Sequence, residues 1–256
     1  MTWRMGERHD DGAPVVQLLL TLSFQSPLVG IGIIELGEIA SLYRDSFPVF
    51  SAIKRAMNMG TDPNEISVTI GTTPRISLSS GDARYNIFIQ EDRLSYGWNR
   101  TSPLDEPHDY PGFNASYATL RRHISRLSDW AAVRGQSLSP AVGEVVYTDA
   151  FVLPSDGAVD HIYANLVPPP EYNASSFSSA WTRDWPGSRS GYVQGIIQSP
   201  AISPEGVATT TLESTARFWS GGNWDACDAA FEEGHAAITN VFETVVKSSA
   251  RAKSLG

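Results

Sequence analysis

The chain has 256 residues and one cysteine, Cys227, so it can form no internal disulfide, no zinc ribbon and no CxxC redox pair. Its five histidines, His9, His108, His123, His161 and His235, stand singly, without the three- or four-residue spacing that marks helical metal ligands. Neither metal nor cofactor is expected. Long apolar runs are lacking too: the richest, Val15–Phe24, is interrupted by Gln17 and Ser23 and falls far short of the roughly 20 residues of a membrane helix. Residues 1–14 carry Arg4, Glu7, Arg8, His9, Asp10 and Asp11 with no apolar stretch, unlike a secretory signal, and read as a flexible tail. Positive charge is scarce. Nineteen Lys and Arg against 28 Asp and Glu leave a net charge of -9, which repels phosphate backbones and disfavours generic nucleic-acid binding, although Arg121, Arg122 and Arg126 form a local basic set. These absences describe a soluble, cytoplasmic protein away from membranes, with homo-oligomerisation left open.

What remains is an ordinary globular composition, 41% hydrophobic and 10% aromatic, long enough to bury a sizeable core. Val16, Leu18, Leu20, Leu22 and Phe24 alternate while Val15 and Leu19 make the second face partly apolar, the pattern of a buried central strand. Leu36, Ile39, Ala40, Tyr43 and Phe47 recur at helical spacing until Pro48. Short runs at residues 66–70, 75–78, 85–89 and 94–98, separated by hairpin-length turns, predict an antiparallel meander. A proline-bearing loop over residues 100–112 leads to a helix with Tyr117, Leu120, Ile124, Leu127 and Ala131 on one stripe. Residues 142–153 predict a strand, and Pro154, Ser155, Asp156 and Gly157 a boundary. Beyond it, strands are expected at 161–167, 192–198 and 207–218, with a serine-rich loop between the first two. A terminal helix follows, capped by Asn223 or Asp225, facing inward with Phe231, Ile238, Phe242 and Val245, and ending among Lys247, Arg251 and Lys253. The expectation is an α+β protein of two similar halves, residues 15–154 and 155–256, each a mostly antiparallel sheet backed by one or two amphipathic helices.

Reactive groups do not gather. Residues 187–191 read GSRSG, with arginine where a GxSxG nucleophile belongs. Gly30, Gly32 and Gly37 lack phosphate-loop spacing, and Glu35 and Glu38 would repel an anion there. No spacing selects a carboxylate pair from Asp149, Asp156, Asp160 or Glu171. Asp225 and Asp228 oppose a thiolate at Cys227, so burial is its expected role, and His235 on an apolar stripe reads as a half-buried histidine with one hydrogen bond. The pairing of rings with guanidinium groups is more distinctive. Trp98, Arg100, Tyr110 and Phe113 bracket one loop, and Trp181, Arg183, Trp185, Arg189 and Tyr192 another. Such groups are enriched at binding hot spots. The alternative is that tryptophans beside a sheet simply close the core.

Gln90, Asp92, Arg93, Leu94, Trp98 and Asn99, then Tyr110, Pro111, Gly112 and Phe113 and the helix around Leu120, form a pattern. Leu36, Leu42, Phe47 and Pro48 upstream, Val145 and Tyr147, and Phe231, His235, Ile238 and Phe242 downstream extend it. Together they resemble the TIGR04255 family, sporadically distributed bacterial and archaeal proteins of about this length. The resemblance implies no activity, cofactor or catalytic residue. It implies an accessory component of a defence or mobile-element system, working with a neighbouring gene's product. Residues 144–148 read EVVYT and lack the arginine usual to the family at this place. The leading expectation is a non-enzymatic protein-binding component that uses Trp98, Arg100, Tyr110, Phe113, Trp181, Arg183, Trp185 and Tyr192. The second is a small-molecule binder or enzyme with a pocket between sheet and C-terminal helix, lined by His161, Tyr163 or Trp181.

Overall fold

A computed structural model of the chain describes residues 15–53, 75–100, 110–153, 162–164, 177–185, 190–202 and 208–247. Among the described residues nine strands form one antiparallel sheet. They are β1 (Val15–Phe24), β2 (Val49–Ile53), β3 (Arg75–Ser79), β4 (Tyr85–Gln90), β5 (Arg93–Asn99), β6 (Pro140–Val152), β7 (Phe177–Asp184), β8 (Gly191–Ile202) and β9 (Ala208–Trp219), in the order β2-β3-β4-β5-β1-β6-β9-β8-β7. The helices are α1 (Ile33–Ser41), α2 (Phe113–Ala132) and α3 (Trp224–Val245). Among the described residues no helix is long and apolar enough to cross a membrane.

The two-residue period of β1 decides the layering. Leu18, Leu20, Leu22 and Phe24 point to one face and enter the main core with Leu36 and Ile39 of α1, Leu120, Ile124 and Leu127 of α2, and Phe231 and Ile238 of α3. All three helices therefore cover the same side of the sheet. A smaller cluster under the end of α3 joins Phe151, Ile162, Tyr163, Ile197, Leu212, Phe242 and Val246. The other face is polar: Thr21 donates to Ser95 Oγ at 2.9 Å, and Arg217 Nε to Glu144 Oε2 at 2.8 Å. Close approach demands glycine at 143, where a Cβ would lie 2.1 Å from the Phe218 ring on the neighbouring strand.

β1 is central, as expected, and α2 buries the expected stripe. α3 is capped by Asn223, whose Oδ1 accepts the Ala226 N–H at 2.9 Å. Several expectations need correcting. α1 ends at Ser41, because the Ser41 hydroxyl and the Leu42 and Tyr43 amides take carbonyls three residues back; turns then carry Tyr43 and Phe47 into the core. Residues 177–184, expected as loop, form β7, and β2 at the opposite edge was not foreseen. Lys247 lies beyond α3, since the chain becomes extended at Val246 and pairs with Tyr163. β6 and β9 pair from Val142–Trp219 to Val152–Thr209, so one sheet carries strands from both sides of residue 154. The runs at 66–70 and most of 161–167, the loop at 101–109, and Arg251 and Lys253 lie outside the described residues.

Candidate functional site

Four of the six aromatic residues singled out in the sequence lie in the interior. Trp98 is 1% exposed on β5, Tyr110 and Phe113 are 7% and 6%, and Trp185 is 5%. These four rings belong to the main core. Trp98 packs on Tyr110 at 5.2 Å between centroids, and Phe113 at the head of α2 stacks on His235 of α3 at 4.2 Å. Trp185 wedges under α3 against Phe218 at 5.5 Å, its indole N–H reaching Glu233 Oε2 at 3.4 Å. Half-buried Trp181 lies across Gly195, where a Cβ would come within 2.1 Å of the indole. Arg183 is exposed on β7, and Arg100 is half-buried. Tyr192 projects to the helix-free face beneath the Arg217 guanidinium, 5.5 Å from its ring centre. A run of ring contacts through Tyr117, Phe231 and Phe218 links Phe113 to Trp185, while strand parity places Trp181 and Tyr192 on opposite faces of the sheet. Arg189 lies outside the described residues.

A line of polar groups crosses this core. Tyr147 on β6 shares hydrogen bonds with Tyr110 (hydroxyl to hydroxyl, 2.9 Å) and with His235 Nδ1 (3.1 Å). Two residues along β6, on the same face, Asp149 is fully buried; opposite Tyr147 on β9 stands Ser214, also fully buried, whose hydroxyl has no hydrogen-bond partner. Further along, the Tyr163 and Thr210 hydroxyls meet at 3.2 Å, and burial pushes the Tyr163 phenol well above its ordinary range. Hydroxyls in line with an imidazole can pass a proton along, while the stacked rings close the space around them. Cys227 is buried, and among the described residues no three His, Cys, Asp or Glu side chains gather to hold a metal ion.

His123 is a second buried histidine, enclosed by Tyr43, Phe47 and Tyr96 with ring centres 5.3, 5.5 and 5.7 Å away. Neither of its nitrogens has a hydrogen-bond partner. Burial first, and then the charges of Arg126 and Arg122, push its pKa down to about 4. Nearby, α2 and α3 are clasped where the Tyr117 hydroxyl donates to Asp228 and Arg121 pairs with the same carboxylate at 3.3 Å while covering the Trp224 ring.

The exposed apolar side chains were missed by sequence reasoning. Val29, Ile33, Ile34 and Val133 are 78%, 72–82% and 85% exposed respectively, the isoleucines spanning the middle values. The N-terminal end of α1 and the C-terminal end of α2 are tied together. The Val29 amide donates to Gln136 Oε1 at 2.7 Å, the Gln136 amide returns a bond to the Val29 carbonyl at 3.0 Å, and Arg134 pairs with Glu38. The four aliphatic residues thus share one end of the helical layer. A signal was present for Ile34, which falls off the stripe through Leu36, Ile39, Ala40 and Tyr43, whereas Ile33, three residues before Leu36 and seven before Ala40, falls on it.

No protein-family model matches the chain, and no curated protein matches it.

Proposed function

We propose that this chain is a non-enzymatic protein-binding component that docks its partner on the aliphatic end of the helical layer. The observation that carries this reading is the exposure of Val29, Ile33, Ile34 and Val133 together, since clustered apolar surface of this kind marks interaction sites on soluble proteins. Covering it gains about 25 cal/mol for each Å² of apolar area. The family resemblance adds the setting: membership of the TIGR04255 family, and a partner encoded nearby in a bacterial defence or mobile-element system, in the cytoplasm. The test is a pulldown from the native host with the doubly substituted Ile33→Glu, Val133→Glu chain beside wild type. Loss of a wild-type partner is expected, and an unchanged partner set would overturn the assignment.

We also propose that the two halves arose by duplication. If Val15 of β1 is set on Pro140 of β6 and the registers are followed outward, Asn99 falls on Trp219, Tyr85 on Gly191 and Ser79 on Asp184. In each case an element's end meets the corresponding end: the first residues of β4 and β8, the last of β5 and β9, the last of β3 and β7. A long helix follows β5 in one half and β9 in the other.

The second reading, a small-molecule binder or enzyme working between sheet and α3, draws support from the Tyr110, Tyr147 and His235 line. A metabolite copurifying with wild type and lost from Tyr147→Phe would favour it over protein binding.

A further inference from the structure

Among the described residues β2 is the terminal strand of the sheet on the α1 side, hydrogen-bonded to β3 along one edge only. Its outer row of backbone N–H and C=O groups is a template for another strand. Natural sheets blunt such edges with charges, prolines or covering elements, yet Val49, Phe50, Ser51, Ala52 and Ile53 include neither a charge nor a proline. The first four are exposed, with Val49 at 52% and Phe50 at 55%. The opposite terminal strand, β7, carries exposed Arg183 and Asp184. In a chain of net charge -9, a neutral strand is where two copies can approach without like-charge repulsion.

The sequence of β2 also complements itself. Phe50 and Ala52 pair with Leu78 and Ile76, on the helix-covered face, while Val49, Ser51 and Ile53 lie on the other. In an antiparallel pair of β2 strands related by a two-fold axis through Ser51, each Phe50 faces the small Ala52 of its mate, and each Val49 faces Ile53. Large meets small on one face and branched meets branched on the other, the cross-strand pairings that stabilise antiparallel sheets. The axis stands perpendicular to the sheet, so both helical layers stay on the same side and the two sheets run on as one.

We propose that two copies of this chain pair edge to edge through β2, in the antiparallel register centred on Ser51. This surface is separate from the aliphatic end proposed for a partner protein, and either can fail without the other.

The register gives the test. Ser51→Glu places two carboxylates against each other across the axis, and Ser51→Lys two ammonium groups; mixing the two variants opposes unlike charges. Sedimentation equilibrium over a dilution series should show concentration-dependent dimers of the wild type. Dissociation should strengthen about tenfold or more in either variant alone and return toward wild type in the equimolar mixture. Thr182→Glu on β7 serves as the control and should leave the dimer unchanged, with circular dichroism verifying that every variant is folded. A wild type that stays monomeric up to its solubility limit would overturn the proposal, including one whose edge takes up a foreign extended strand instead. So would charged variants that dimerise as wild type does, or a mixture that fails to recover.

Discussion

His123 should make the fold sensitive to acid over a defined window. The ring packs between Tyr43 and Phe47, from the turns after α1, and Tyr96 of β5; the charged groups near it are Arg122 and Arg126 of its own helix. An unfolded histidine titrates near 6.5, whereas this one is held down to about 4 in the fold, mainly by burial. The unfolded chain therefore binds the proton first as pH falls. The stability that His123 contributes is fully present above pH 6.5 and drains away between 6.5 and 4, below which both states are protonated. Between pH 7 and pH 5 the linkage amounts to about 2 kcal/mol. Urea unfolding of wild type and His123→Phe at both pH values isolates it, since phenylalanine keeps a ring in the aromatic enclosure and cannot titrate. Wild type should lose about 2 kcal/mol more than the variant on going from pH 7 to pH 5. At pH 7 the variant should be no less stable, because it removes two nitrogens without hydrogen-bond partners. Parallel losses in the two proteins, or a His123 imidazole resonance titrating near 6.5 in the folded chain, would refute the reasoning.

Other perturbations test the packing. Gly143→Ala drives a Cβ into the Phe218 ring, which Phe231 and Trp185 prevent from retreating, and should cost about 1–3 kcal/mol or more in chemical denaturation. Asn223→Ala removes the acceptor for the Ala226 amide and should lower stability by about 1 kcal/mol by the same assay. Ser214→Ala deletes a fully buried hydroxyl that has no partner, so the variant should be as stable as wild type or more stable, by up to about 1–3 kcal/mol. A clear loss of stability would mean that this hydroxyl is satisfied in solution.

What could be read in the sequence follows from how strongly burial imposes a period. β1, β6, α2 and α3 each press one face into the core, and their residues recur at two or about 3.6 positions accordingly. β2 has four exposed residues out of five, so neither face selects for apolarity and no alternation is written into it. β7 is an edge whose Trp181 and Arg183 share a face; one ring and one charge do not make a pattern. The aromatic residues are ambiguous in the sequence for a related reason. Rings near arginines look alike whether they close a core or grip a partner, and Trp98 turns out to do the former. The contact between Tyr147 and His235 joins positions 88 apart, which no local spacing can encode.

The polar line gains meaning from the proposed duplication. Following the same registers, Tyr147, Asp149 and Ser214 take the places that Leu22, Phe24 and Leu94 hold in the first half. Those three first-half residues are apolar and buried, so this sheet position does not itself require a polar side chain. Placing a phenol, a carboxyl group and a hydroxyl where leucine and phenylalanine serve elsewhere departs from local consistency, and such departures concentrate at functional sites. The Ser214→Ala and Tyr147→Phe variants separate the two roles. If the second half is specialised around this line, Ser214→Ala should keep or raise stability, while Tyr147→Phe should alter what the protein binds. A chain that loses stability in both and binding in neither would make the line an internal strut.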